Sequence, residues 1–177
     1  MRKYLYFFGA IFITLFCACG NKSHGNNEIN SERIFPEFRF SASDGNTYTQ
    51  KDLEKGVSVS GFMVSWCLPC AGELERLQNI KNKYTSRQLQ VFVFTYEDFD
   101  KYDSLTKTLN LDLPIIKADS SFFALMNIDA IPTRILSNDG REITRIIGAP
   151  SFEEEAFQAD LKKNLGIKED KHTERKK

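Results

Sequence analysis

The feature that most constrains this chain is the stretch Trp66-Cys67-Leu68-Pro69-Cys70, which places two thiols at a junction between predicted elements. An apolar run at 57–65 predicts a buried strand before it, and apolar residues at helical spacing over 71–86 predict a helix after it. Side chains three residues apart on a first helical turn share a face, with Cβ atoms roughly 5–6 Å apart, which is close to disulfide distance. The two cysteines can therefore form and break a bond.

The position of Cys67 at the start of the predicted helix indicates that it is the nucleophile. The positive end of the helix dipole and the unpaired backbone N–H groups both favour a thiolate there. A zinc site would need two further ligands, and Cys17, Cys19, His24 and His172 all stand near the ends of the chain. A purely structural disulfide that closes so short a loop would constrain the unfolded chain little. Redox chemistry is the stronger interpretation.

The N-terminus has the pattern of a secretory signal at residues 1–18, a basic start followed by an apolar run too short for a comfortable membrane span. Ala18 before Cys19 resembles a bacterial lipoprotein processing box, in which the cysteine is acylated and becomes the new N-terminus. We therefore expect Cys19 to carry lipid, and an uncleaved short anchor is the alternative. Cys67 and Cys70 would then be the free thiols, in a compartment that permits disulfides.

Composition divides the remaining chain into a linker, one domain and a tail. Residues 19–33 are almost without apolar side chains and predict a flexible linker, and residues 169–177 predict a disordered charged tail. The domain between them spans 34–168, and 11 of the chain's 15 phenylalanines lie within it and can supply its core. The 24 basic and 24 acidic residues balance, so the sequence has no electrostatic footprint for nucleic acid.

The order of predicted elements within the domain indicates an α/β fold. Two hairpins are marked by turn sequences, and the segments between them alternate strand and helix. In chain order they are a hairpin around 44–46, a strand at 57–65, a helix at 71–86, a strand at 89–95, a helix at 98–110, a short strand or extended segment at 114–116, a short helix at 120–127, a hairpin around 138–140, and a final helix with a Ser151/Glu154 capping box that ends at Gly166.

This order, combined with Trp-Cys-x-Pro-Cys and with Ile131-Pro132-Thr133, resembles the thioredoxin superfamily. Within it, the chain is similar to the TlpA/ResA-like group of membrane-anchored thiol–disulfide oxidoreductases, over Phe35 to Leu165. The resemblance implies a thioredoxin-like fold, with a central mixed β-sheet flanked by helices and an N-terminal β-hairpin extension. It also implies a redox-active Cys67–Cys70 disulfide and a cis Pro132 that faces it.

The resemblance suggests further residues near the cysteines. Glu73 matches an acid that tunes the thiols and helps to move a proton, and the alternative is a solvated glutamate that only complements the helix dipole. Gly61 stands where thioredoxin has a buried aspartate, and Glu75 stands where a helix-kinking proline is usual. Trp66 is expected to contact substrate together with Ile131, or else to be a half-buried packing residue.

The expected reaction is disulfide reduction, with no metal or organic cofactor. The Cys67 thiolate attacks a partner's disulfide, and Cys70 resolves the mixed disulfide. Leu68-Pro69 lacks the histidine found between the cysteines of strongly oxidising relatives, which favours the reducing direction. The expected partners are protein or small-thiol disulfides and a membrane electron donor. The chain is expected to be a monomer on the extracytoplasmic side of a membrane.

Two alternative functions stay open at this point. A peroxidase-like redoxin of the AhpC/TSA type would attack peroxide through Cys67, but such sites resemble Pro-x-x-x-Thr-x-x-Cys, and Val64 occupies the threonine position here. A module that binds and delivers a soft ion such as Cu(I) would use both thiols. Copper carriers of this fold also use a nearby histidine, and none lies between residues 25 and 171.

Overall fold

The computed structural model describes residues 34–149 and 153–168. The expected signal sequence, Cys19, the linker and the charged tail lie outside these residues. The strands are β1 Arg39–Ser41, β2 Thr47–Thr49, β3 Val57–Phe62, β4 Leu89–Thr95, β5 Ile115–Lys117, β6 Thr133–Asn138 and β7 Arg141–Ile147. The helices are α1 Gln50–Leu53, α2 Leu68–Lys83, α3 Asp103–Thr108, α4 Ser120–Leu125 and α5 Glu153–Asn164, with a 3-10 helix at Phe99–Tyr102.

A mixed sheet forms the centre of the domain, in the order β5-β4-β3-β6-β7. β3 pairs with β4, and β4 with β5, in parallel. β6 pairs with β3, and β7 with β6, in antiparallel orientation. β1 and β2 form a separate antiparallel hairpin. The mixed sheet with flanking helices and the N-terminal hairpin are therefore as expected from the sequence.

Alternate side chains of the central strands belong to two apolar clusters, one on each face of the sheet, because successive residues of a strand point to opposite faces. Val91 and Val93 of β4 join a cluster with α2 and α5 that also contains both cysteines. Phe92 and Phe94 join a second cluster, rich in phenylalanine, with the N-terminal segment and α4. Every residue of β3 is buried, so the strand that leads to the cysteines is fixed from both sides.

The β6–β7 turn follows its sequence signal. Asp139 and Gly140 both have positive φ, 50° and 73°, which is the backbone of the type I′ hairpin turn that Asp-Gly favours. Gly166 also has positive φ, 68°, just after α5, as expected for a glycine that ends a helix. Ser151 of the expected capping box lies outside the described residues.

Three boundaries differ from the sequence prediction. α2 begins at Leu68 rather than 71, because Cys67 takes the N-cap position and Pro69 is tolerated in a first turn, where no backbone N–H is needed. β3 ends at Phe62 rather than 65, since the chain beyond it leaves the ladder toward α2. The helix predicted over 98–110 is divided into the 3-10 helix and α3, and Asn110, with φ 48°, lies beyond its end.

Within the described ranges, no helix combines the length and the apolar content that are needed to cross a bilayer.

Candidate active site

Cys67 and Cys70 are joined by a disulfide at the N-terminus of α2. Cys67 is the N-cap, the Cys70 N–H donates to its carbonyl oxygen at 2.9 Å, and the two Cα atoms are 5.3 Å apart. The first turn of the helix therefore holds both sulfur atoms. Because α2 is a 16-residue helix, its dipole favours a thiolate at this end once the bond is reduced.

The two cysteines are both largely buried but differ in exposure. Cys67 is 8% exposed and Cys70 is 2% exposed. The side chains on either side of Cys67 are open to solvent, with Trp66 at 70% and Leu68 at 89% exposure. The alternative in which Trp66 is a half-buried packing residue is therefore wrong. A partner approaching this surface meets Cys67 first, between two exposed apolar side chains.

The end of the sheet brings Ile131 and Pro132 to the same edge as the cysteines. Phe62, the last residue of β3, pairs with Thr133, the first residue of β6. The Ile131–Pro132 peptide bond is cis, as the family resemblance implied. The Pro132 carbonyl accepts a 2.7 Å hydrogen bond from the Gly148 N–H, so β7 also holds this loop.

The segment between β3 and the cysteines is held by side chains from the end of β4 and the 3-10 helix. The Tyr102 hydroxyl donates to the Met63 carbonyl oxygen at 3.1 Å and contacts the Thr95 hydroxyl at 3.0 Å. The Glu97 carboxylate accepts from the Ser65 N–H at 2.5 Å and from the Ser65 hydroxyl at 3.1 Å. Sequence reasoning missed these contacts.

Glu73 lies one helical turn beyond Cys70 and is only 2% exposed. Its Oε1 is 3.2 Å from Arg134 Nε, and its Oε2 is 3.3 Å from Arg76 Nε. Arg134 is 1% exposed, forms a second ion pair with Glu154 of α5, and has its guanidinium carbon 4.3 Å from the centre of the Phe157 ring. The alternative in which Glu73 is a solvated glutamate is therefore wrong.

The charges around Glu73 are incompletely compensated. Arg134 Nη1 and Nε and Glu73 Oε1 are buried without an aligned hydrogen bond. Burial raises the pKa of Glu73, and the nearby Arg134 and Arg76 charges oppose this effect. Burial also acts on Glu154, but hydrogen bonds from Arg134 and Gln158 bring the pKa of that carboxyl below its usual value. The two acids that contact Arg134 thus have pKa values shifted in opposite directions.

Gly61 and Glu75 complete the positions considered from the sequence. Gly61 is buried in β3 opposite Arg134, so no carboxylate occupies this position. Glu75 is exposed on α2, which runs without interruption. Among the described residues, no group of three or more His, Cys, Asp or Glu side chains is arranged to hold a metal ion.

Family comparison assigns the domain as a whole. The model of the AhpC/TSA family matches residues 32–156, which is most of the chain. The chain belongs to the AhpC/TSA family. Among curated proteins, this AhpC/TSA chain is similar to the thiol–disulfide oxidoreductase ResA of Bacillus cereus, with 24% identity over 123 residues, 67% of this chain and 70% of ResA.

Solved structures show that this family member has a thioredoxin-like fold. A thiol:disulfide interchange protein of the thioredoxin family from Chlorobium tepidum TLS superposes with a TM-score of 0.63 at 22% identity, covering 75% of this chain and 96% of that one. A thiol–disulfide oxidoreductase from Bacteroides fragilis gives 0.62 at 18% identity, covering 74% and 98%. The fold implied by the sequence resemblance is confirmed.

Proposed function

We propose that this chain is a thiol–disulfide oxidoreductase that reduces disulfides of extracytoplasmic partners through Cys67 and Cys70. The observation that carries the proposal is the Cys67–Cys70 disulfide at a helix N-terminus, in which Cys67 is the more exposed of two largely buried cysteines, at 8% against 2%. The names of the ResA and Bacteroides fragilis relatives support the same class of reaction.

The proposed reaction transfers two electrons from the dithiol to the partner. The Cys67 thiolate attacks one sulfur of the partner's disulfide, that bond breaks, and the other partner sulfur leaves as a thiolate. Cys70 then loses its proton and attacks the Cys67 sulfur, which releases the second partner thiol and leaves Cys67–Cys70 oxidised. No metal or organic cofactor takes part in these steps.

Glu73 is proposed to exchange a proton during the second step. It follows Cys70 by one turn on the same buried helix face, and a carboxyl whose pKa is raised by burial takes up a proton more readily than an exposed one, which suits it to proton exchange. Arg134 and Arg76 hold this carboxyl in place. Trp66 and Ile131 are proposed to contact the partner on either side of the sulfur, and Pro132 to face it.

The direction of exchange follows from the potentials of the two couples. Leu68-Pro69 carries no histidine to stabilise a reduced thiolate. We therefore expect a reduction potential near that of thioredoxin, about −270 mV. Equilibration of Cys67–Cys70 with glutathione of known ratio measures it. A value less negative than about −180 mV would instead indicate an oxidase or isomerase.

Anchoring is a separate part of the proposal. Lipid on Cys19 would tether the domain through residues 19–33 on the extracytoplasmic side, where a membrane electron donor could reduce it again. The pattern of residues 1–19 supports this. Mass spectrometry of membrane-extracted protein tests it, since intact Met1 or an unmodified Cys19 contradicts the proposal.

The central experiment is trapping. A Cys70→Ser variant should accumulate mixed disulfides between Cys67 and its partners, and a Cys67→Ser variant should accumulate none. Equal trapping by both variants contradicts the assigned order of attack. The peroxidase alternative is less supported, because buried Val64 stands at its threonine position. Peroxide consumption and the copper content of the reduced protein separate the two alternatives from disulfide exchange.

A further inference from the structure

Glu97 is the residue near the disulfide that the proposed reaction leaves without a role. It follows the end of β4, which is parallel to β3. The ends of these two strands therefore lie side by side, and Glu97 reaches the segment that joins β3 to α2. Its carboxylate binds both the N–H and the hydroxyl of Ser65, at 2.5 and 3.1 Å.

These contacts act close to the nucleophile, because Ser65 precedes Cys67 by two residues. The Cys67 N–H donates to the Val64 carbonyl oxygen at 3.3 Å, so Ser65 lies within a tight turn that ends at the N-cap of α2. A carboxylate that binds both polar groups of Ser65 fixes the orientation of this turn. It also sets a negative charge beside the helix end whose dipole favours the thiolate.

The acidic side chains closest to Glu97 along the chain are already paired. Asp98 and Asp100, which follow Glu97 along the chain, form ion pairs with Lys117 and Lys101. On the far side of the disulfide, Glu73 pairs with two arginines. Within residues 34–149 and 153–168, no lysine or arginine forms an ion pair with Glu97. Its charge is therefore less compensated than those of its neighbours.

We propose that Glu97 is a positioning residue for Cys67, which holds the turn leading to the nucleophile and places beside it a negative charge that disfavours the thiolate. The inference rests on the proposed function, in which Cys67 is the attacking sulfur. It also deepens that function, since a less stable thiolate makes the dithiol a stronger electron donor. Glu97 thus opposes the helix dipole and tunes the site in the reducing direction.

The decisive variant is Glu97→Gln, which keeps the side-chain shape and one acceptor oxygen but removes the charge. The side chain is part-exposed, so the amide is tolerated sterically. We expect the pKa of Cys67 to fall by about half to one unit, the effect of one charge several ångströms away across a partly solvated path. This corresponds to a three- to tenfold higher thiolate-to-thiol ratio. The readout is the pH dependence of Cys67 alkylation in the reduced protein. All variants are compared in proteins that also carry Cys70→Ser, so that Cys67 is the thiol measured.

Asp98→Asn is the matched control, because it removes one negative charge from the adjacent residue without touching Ser65. We expect the pKa of Cys67 to change by less than about a third of the Glu97→Gln shift, since the Asp98 charge is exposed and offset by Lys117. Ser65→Ala removes only the hydroxyl contact and should leave the thiol pKa near its original value.

A purely structural Glu97 would lower the melting temperature in Glu97→Gln without moving the Cys67 pKa, and this result would overturn the proposal. Equal shifts in Glu97→Gln and Asp98→Asn would overturn it as well. The measurement uses the protein's own thiol and needs no partner. A failure of the proposed reductase activity in trapping experiments would therefore remain distinguishable from a failure of this inference.

Discussion

At the scale of single residues, Gly61 determines which side chains pack in β3 below the cysteines. It lies in β3 opposite Arg134. Thioredoxin, which the chain resembles, has a buried aspartate at this position. A Cβ atom at this position would lie 2.5 Å from Leu77 Cδ1 and 2.7 Å from Met63 Cε. The space that an acid would need is therefore filled by two apolar side chains, and the buried carboxylate comes from Glu73 on α2 instead.

We expect Gly61→Ala to lower the free energy of unfolding by about 1–3 kcal/mol, because the added methyl overpacks two fully buried side chains. Gly72→Ala is the matched control, since a Cβ there meets no atom within 4 Å on an exposed helix face. That change should stabilise the protein by up to about 1 kcal/mol. Urea unfolding measures both, and equal effects would contradict the packing argument.

Arg134 is a second residue whose effect can be isolated. Arg134→Met leaves Glu73 buried without its strand partner, and we expect a loss of about 3–5 kcal/mol at neutral pH. Adding Glu73→Gln removes the unpaired charge, so the double variant should be more stable than the sum of the two single changes predicts. Additive effects in urea unfolding would show that the two side chains are energetically independent.

At the scale of elements, α5 is attached to the sheet through its first turn. Glu154 pairs with Arg134 of β6, and Phe157 packs over the same guanidinium. The thiol-bearing helix α2 contacts this arginine through Glu73. One buried side chain therefore connects β6, α2 and α5, and the connection depends on the ionisation of Glu154.

Glu154→Gln should lower the free energy of unfolding by about 2 kcal/mol at pH 7, through loss of a charge-assisted contact. The pKa of Glu154 is depressed in the folded state, so the stabilisation is present above the unfolded value of 4.5 and is lost as the pH falls through the folded value. The difference between wild type and variant should thus shrink as the pH falls below 4.5.

Glu155→Gln provides the control for this pH dependence. Glu155 belongs to the same helical turn but is exposed, so its removal should change the free energy of unfolding by less than about 0.5 kcal/mol at either pH. A pH-independent loss in Glu154→Gln would show that the side chain contributes through packing rather than through charge.

For the whole molecule, the N-terminal segment completes the second apolar cluster. Phe38 is buried there, with its ring centre 5.6 Å from that of Phe94 in β4 and 5.2 Å from that of Phe122 in α4. The following residues bind β5, since the Ser43 N–H donates to the Ile115 carbonyl at 2.9 Å. The hairpin is therefore part of the folded domain and covers the edge strand of the sheet.

Phe38→Ala should lower the free energy of unfolding by about 3–5 kcal/mol while leaving a single cooperative transition. Phe40, which is only half-buried, is the comparison, and its replacement by alanine should lower the stability by less. A separate early transition in the Phe38→Ala variant would indicate instead that the N-terminal segment unfolds independently of the sheet.

The features of the domain that could be predicted from the sequence are those that a few consecutive residues determine. The Asp139-Gly140 turn between β6 and β7 and the apolar run of β4 each define an element without reference to its neighbours. The position of the cysteines followed from the same signals, because they stand between a strand and a helix.

The contacts around the cysteines could not be predicted in the same way. Arg134 lies in a strand with apolar neighbours, and only the position of α2 and α5 shows that its side chain is buried between carboxylates. Glu97 reaches Ser65 across 32 positions of the chain. Its one sequence signal is that it follows a strand predicted to run parallel to β3, which places it at the same edge but does not specify its partner.

Trp66 should report both reduction of the disulfide and binding of a partner through its fluorescence. It is the single tryptophan of the chain, it is 70% exposed, and it adjoins Cys67. A neighbouring disulfide quenches indole fluorescence by accepting an electron from the excited ring, so emission should brighten when the Cys67–Cys70 bond is reduced. A bound partner that covers the ring should shift the emission to shorter wavelength. The unlabelled protein thus reports its redox state by its fluorescence intensity and the binding of a partner by its emission wavelength.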